Sequence, residues 1–101
     1  MPYHGIDISK SEITRFCRLH HIRKLALFGS ILRQDFNQDS DVDVLVEFER
    51  GYEPGFIQMA GFENELSEML CRKVDLRTRA ELSRYFRDEV ERESEVQYAQ
   101  R

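Results

Sequence analysis

Apolar positions first recur at helical spacing in "IDISKSEITRFCRLHHI", residues 6–22, where Ile13, Phe16, Cys17 and His20 fall on one face. Ser9 followed by Glu12 forms a capping box, and Ile8 meets Ile13 as a hydrophobic staple, so a helix begins just after Ser9. The period then shortens. "KLALF" (24–28) predicts a strand, and "SILRQDF" (30–36) a short helix that the polar run "NQDS" ends. "VDVLVEF" (42–48) alternates most cleanly, with Val42, Val44, Val46 and Phe48 on one side and Asp41, Asp43, Leu45 and Glu47 on the other. After the loop "ERGYEPG", a helix over 56–71 carries Phe62, Leu66, Met69 and Leu70 as its stripe. "RKVDLRT" (72–78) predicts a third strand. A last helix over 80–98 uses Leu82, Tyr85, Phe86 and Val90. The order αβαβαβα describes an α/β (α+β) arrangement, a small sheet covered by helices. The 101 residues suit one domain with a modest core.

Composition narrows the classes of function. With 41% hydrophobic and 34% charged residues the chain reads as a soluble globular protein. No stretch reaches the ~18 apolar residues of a membrane helix, and the first residues lack the apolar centre of a signal peptide. Cys17 and Cys71 are the only cysteines, which offers neither a disulfide framework nor a four-cysteine zinc site and suits a reducing cytoplasm. The net charge of −4 argues against direct nucleic-acid binding. It leaves room for a nucleotide that arrives with a divalent cation.

The candidate chemistry lies in "LALFGSILRQDFNQDSDVDVLVEF", residues 25–48. A strand ending in Gly29-Ser30 as a helix begins would gather backbone N–H groups at one point, a phosphate site to which the serine hydroxyl adds a donor. The same dipeptide is equally a tight turn with Ser30 as N-cap. Aspartate is a poor strand former, yet Asp41 and Asp43 head the most apolar strand. At positions i and i+2 they project from one face about 7 Å apart, able to lean onto a shared site. Two like charges there raise each other's pKa unless a cation neutralises them, and few hard oxygen ligands suit Mg²⁺. A turn aspartate beside a solvent-facing one is the plainer alternative. Asp75 bears on the choice, since its neighbours Val74 and Leu76 point to the opposite face as Val42 and Val44 do. If strands 42–48 and 72–78 are neighbours, three carboxylates share one face, which suits two-metal phosphoryl or nucleotidyl transfer.

Gly29-Ser30, ten residues, then Asp41-Val42-Asp43 resembles the GS-x10-DxD signature of the nucleotidyltransferase superfamily that has the fold of DNA polymerase beta. With "ELSEMLCRKVDLRT" added, residues 5–98 resemble the minimal nucleotidyltransferases (MNT) of prokaryotes. The resemblance implies a single minimal domain spanning 1–101, with a mixed sheet, flanking helices and catalysis with ATP and Mg²⁺, two ions in the usual arrangement. Gly29 and Ser30 would hold the triphosphate, and Asp41 and Asp43 the metal ions. Asp75 would help to hold a metal and take the proton from the attacking hydroxyl. AMP would be transferred and pyrophosphate released. Many MNT proteins are antitoxins that adenylylate a tyrosine of a HEPN-family ribonuclease toxin, which implies a cognate toxin as partner in a hetero-oligomer. A chain of 101 residues has no room for the second domain that shapes the acceptor pocket of larger relatives.

The chain departs from the family pattern twice. Cys71 stands where glycine often ends a helix and must bear left-handed geometry, and Arg77 replaces an apolar residue. Both are expected to lie clear of the site. Arg33 either reaches a phosphate or pairs with the turn before Asp41, and Ser40 shapes that turn through its side chain. His20 and His21, adjacent on a helix, lack metal-ligand spacing. "RDEVERESE" (87–95) reads as a solvated face. The resemblance leaves two other functions open: an antitoxin that neutralises by contact without catalysis, and a nucleotidyltransferase acting on a small molecule such as an aminoglycoside.

Overall fold

The computed structural model describes residues 3–101. Helix α1 (Lys10–Leu19) starts as the capping pattern requires, with the Glu12 N–H donating to Ser9 Oγ at 3.3 Å. Strand β1 (Ile22–Phe28), strand β2 (Val42–Phe48), helix α2 (Phe56–Leu70), strand β3 (Val74–Thr78), helix α3 (Arg87–Glu93) and strand β4 (Glu95–Ala99) follow. The four strands form one mixed sheet in the order β3-β2-β1-β4. β1 is antiparallel to both β2 and β4, while β2 and β3 run parallel. The expected neighbourhood of 42–48 and 72–78 is therefore present.

One face of this sheet makes the core. Leu25, Leu27, Val42, Val44, Val46, Val74 and Leu76 are buried there against Ile13, Phe16 and Cys17 of α1 and Leu66 and Leu70 of α2. The two helices also meet each other, Phe16 edge-on to Phe62 and His20 over Phe62 with its Nε2 3.0 Å from Glu65 Oε1. β3 is an edge strand, and its outward N–H groups would otherwise be open to pairing. α2 covers them: Val74 N–H donates to Ser67 Oγ at 3.0 Å and Leu76 N–H to Glu63 Oε2 at 2.7 Å. The opposite face carries Asp43, Leu45 and Glu47, Asp75 and Arg77, and Lys24 and Ala26. On this face a groove of about 520 Å³ is floored by Ala26 and Leu45 and bordered by Arg79 and Glu91.

Two expected elements differ. The helix over 30–36 is a single 3₁₀ turn, Gly29–Leu32, after which Arg33 is extended at φ −117° and ψ 166°. Ile31 and Phe36 are both buried, and five positions apart on an α-helix they would point about 140° apart. Leaving the helix at Arg33 lets both reach the core. The helix over 80–98 is shortened to Arg87–Glu93. A 3₁₀ turn (Arg79–Glu81) precedes the short α3, the Ser94 N–H closes α3 on the Val90 and Glu91 carbonyls, and residues 95–99 become β4. The order is thus not αβαβαβα: a strand ends it. Alternating Val96 and Tyr98 pair with the otherwise open edge of β1, Leu25 opposite Tyr98 and Ala26 opposite Val96. Long-range pairing overrides the local helical pattern. Of the expected stripe, Tyr85 and Phe86 are exposed.

Candidate active site

Three strand ends meet where β1 leaves the sheet and β2 and β3 enter it. Phe28 stands opposite Asp43 across the antiparallel pair, and Asp75 stands opposite Asp43 across the parallel pair. Asp41 lies two residues before Asp43. The structure therefore brings together Asp41, Asp43 and Asp75, and sets Gly29 against Asp43. Gly29 has φ +76°, and a Cβ placed on it would lie 2.3 Å from Asp43 Oδ2. Glycine is required there twice over, by backbone conformation and by the carboxylate pressed against it.

The electrostatics are uneven. Asp43 has no ion-pair partner among the described residues. Burial pushes its pKa up, and the charges of Asp75 and Asp41 push it further, against smaller opposing effects of Arg77 and Arg33. Asp41 has Lys73 Nζ 4.0 Å away. Asp75 is held in a two-point pair by Arg77, Nε to Oδ1 at 3.0 Å and Nη2 to Oδ2 at 3.2 Å. Arg77 therefore does not lie clear of the site, as its apolar replacement suggested, but grips the third carboxylate. Arg and Asp two apart on one strand face are within reach.

The turn that delivers Asp41 is built from its own side chains. Asp39 N–H donates to Asn37 Oδ1 at 2.8 Å, Asn37 N–H to Ser40 Oγ at 3.1 Å, and Ser40 N–H to the Asn37 carbonyl at 3.0 Å. Arg72 locks it from outside. Its Nη2 donates to the carbonyls of Asn37 and Ser40, both at 2.8 Å, and its guanidinium lies over the Phe36 ring. Arg72 and Asn37 are the positioning residues that sequence reasoning missed. The Asn-x-Asp-Ser pattern could have signalled the turn, whereas nothing near Arg72 in the sequence points 32 residues back to Ser40. Arg72 is aimed there because Cys71 ends α2 in left-handed geometry, φ 55° and ψ 32°, as its place at the glycine position anticipated. Arg72 N–H returns to the Ser67 carbonyl in a Schellman-type closure.

Arg33, on extended backbone rather than one helical turn after Ser30, pairs with Asp35 at 3.4 Å and not with Asp39 or Asp41. Ser30 is the second residue of a four-residue 3₁₀ turn, so the helix end expected to hold a phosphate is short. His20 pairs with Glu65, while His21 stacks on Tyr52 with its Nδ1 3.5 Å from Glu49 Oε1.

As they stand, no three His, Cys, Asp or Glu side chains among the described residues form a ready-made metal cage. Mg²⁺ does not need one, because it binds through one or two carboxylates together with waters and substrate phosphates. The donor set fits such an ion: hard oxygens only, with the central carboxylate crowded by negative charge and lacking a cation of its own. Asp41 and Asp43 are free to supply it. Both oxygens of Asp75 are already engaged by Arg77.

Comparison with known proteins agrees with this geometry. The Nucleotidyltransferase domain family matches residues 10–98. The candidate protein adenylyltransferase MJ1217 of Methanocaldococcus jannaschii is 35% identical over 78 residues, 68% of this chain and 76% of its own length. The fold is similar to one in the crystal structure of a toxin–antitoxin with AMP-PNP (TM-score 0.73, 19% identity, 93% of this chain and 76% of that one). It is also similar to one in the structure of a tri-AMPylated Shewanella oneidensis HEPN toxin in complex with MNT antitoxin (TM-score 0.65, 20% identity, 89% and 69%). Those two likenesses concern the fold. The family match spans β1, β2 and β3, all but the last residue of β4 and all three aspartates, and the chain belongs to the nucleotidyltransferase domain family.

Proposed function

We propose that this nucleotidyltransferase is a single minimal domain, an antitoxin that moves AMP from ATP to a tyrosine hydroxyl of a cognate HEPN ribonuclease toxin and so neutralises it. The observation that carries the proposal is the cluster of Asp41, Asp43 and Asp75 around a glycine that leaves no room for a side chain. A carboxylate crowded by like charges and left without a counter-ion is unfavourable for stability alone. Support for a protein acceptor comes from the relative's assignment as a protein adenylyltransferase and from the AMPylated toxin in the structural likeness. Phe56 and Ile57, 92% and 89% exposed at the start of α2, leave apolar surface for a protein to cover. No helix among the described residues is long and apolar enough to cross a membrane.

Asp41 and Asp43 would hold Mg²⁺ together with the triphosphate, and the ion would supply charge neutralisation at the reacting phosphate. Gly29 lets the triphosphate come close to the backbone, and the Ser30 hydroxyl donates to it. The acceptor oxygen attacks the α-phosphorus from the side opposite pyrophosphate. The bond to pyrophosphate breaks, its electron pair leaves with that group, and the acceptor proton passes to Asp75. Arg33 lies close enough to influence Asp43 and would offset triphosphate charge, while Ser40 holds the turn that presents Asp41.

The test is transfer from α-labelled ATP with Mg²⁺ onto the cognate toxin, by the native chain and by Asp41→Asn/Asp43→Asn. Label is expected on a tyrosine of the toxin with the native chain, reduced roughly a thousandfold or more in the variant. An unlabelled toxin that both versions bind and neutralise equally would instead mark an antitoxin acting by contact.

A further inference from the structure

Before any ligand arrives, the third carboxylate already has a cation. Arg77 reaches back along β3, and the fork of its guanidinium takes both oxygens of Asp75. The register leaves it little else, because directly across the sheet Arg77 faces Leu45. Lys73 stands near Asp41 in the same way, though only at 4.0 Å. Of the three carboxylates only Asp75 is held at two points; Asp41 has one distant lysine and Asp43 has no ion-pair partner among the described residues.

We propose that Arg77 is a built-in counter-ion that occupies Asp75 in the resting protein and must be displaced by a divalent cation, so that the chain sets its own cation affinity by competition. The inference rests on the reading of the aspartates as cation ligands. Its physical basis is that a guanidinium and a divalent ion cannot share one carboxylate at close range without like-charge repulsion. A two-point Arg–carboxylate pair is the most effective way for a side chain to claim both oxygens. The pair is also built to yield. The side chains are 46% and 34% exposed, and ion pairs so open to water hold weakly. Arg77 relieves the crowding of the carboxylates without sealing the site.

Mn²⁺ titrated into the full chain without nucleotide, followed by its electron paramagnetic resonance signal, tests the competition. Native protein, Arg77→Met, Arg77→Lys and Asp43→Asn are compared after a circular dichroism melt shows each folded. Arg77→Met keeps the stem and removes the charge, and is expected to bind Mn²⁺ roughly three- to tenfold tighter. Arg77→Lys keeps the charge without the fork and falls between. Asp43→Asn binds more weakly than native. Addition of Mg²⁺ to the native chain should also shift the Arg77 Nε resonance as the pair opens. Unchanged or weaker binding by Arg77→Met, with Asp43→Asn still impaired, overturns the counter-ion and leaves the carboxylates as ligands. Absence of Mn²⁺ uptake in both native and Arg77→Met, or uptake indifferent to Asp43→Asn, overturns both. Uptake by Arg77→Met alone supports the competition in its strongest form.

Discussion

The two faces of the sheet are made by alternate residues of the same strands, and they answer to different demands. On the helix-covered face Val42, Val44, Val46, Val74 and Leu76 are each 5% exposed or less. On the other, Asp43 and Asp75 stand side by side with no apolar residue between them. A one-residue shift of either strand would exchange the sets, so burying the valines fixes the position of the aspartates. Stability on one face is what makes the geometry on the other reproducible. On the site face the central carboxylate works against stability.

The largest blow to this arrangement comes from the covered face. Leu66 is fully buried where α2 meets the sheet. Leu66→Ala is expected to lower unfolding free energy by about 2–5 kcal/mol, a large part of the total stability of so small a chain. Chemical denaturation followed by circular dichroism would measure it. A loss below about 1 kcal/mol would show that α2 is not a main support of the strands.

Next in size is Gly29→Ala, which touches both faces of the argument. The left-handed backbone alone is expected to cost about 1–2 kcal/mol. The added methyl must also push Asp43 aside. Repeating the substitution in an Asp43→Ala background separates the two effects, because only the backbone part should remain there. Equal costs in both backgrounds would mean that the Gly29–Asp43 contact has no energetic weight.

Much of this division was legible in the sequence, and the failures have a common cause. Strand 42–48 shows its two faces by simple alternation, and Asp75 repeats the device in 72–78. Gly29-Ser30 and the DxD spacing resembled a known signature. Cys71 announced its strained geometry by standing where a glycine belonged, and it bears φ 55°. What was not legible depends on partners distant in the chain. β4 is a strand because β1 has an edge to offer, although 87–93 before it is helical. Arg72 matters through carbonyls far back in the chain. The role of Arg77 was masked by comparison with relatives, which drew attention to the apolar residue it replaces rather than to the aspartate two positions away.

The smallest expected effect sharpens the contrast most, because it runs against the usual direction of a mutation. Asp43 has a folded pKa above its ordinary value of 3.8, first from burial and then from Asp75 and Asp41. Below 3.8 the group is protonated in both folded and unfolded chains and carries no penalty. As pH rises through the folded pKa, the native state must ionise a carboxylate its surroundings disfavour, and stability is lost. Asp43→Asn has nothing to ionise. Its melting temperature should exceed that of the native chain at pH 7, and the gap should narrow as the pH is lowered through the native Asp43 titration. A melt series across acidic to neutral pH, with reversibility checked at each point, measures the gap. A variant less stable than native at neutral pH, with the deficit closing in acid, would mean that ionised Asp43 stabilises the fold. The crowding of carboxylates would then be a structural device, and the division of labour between the two faces would fail at its centre.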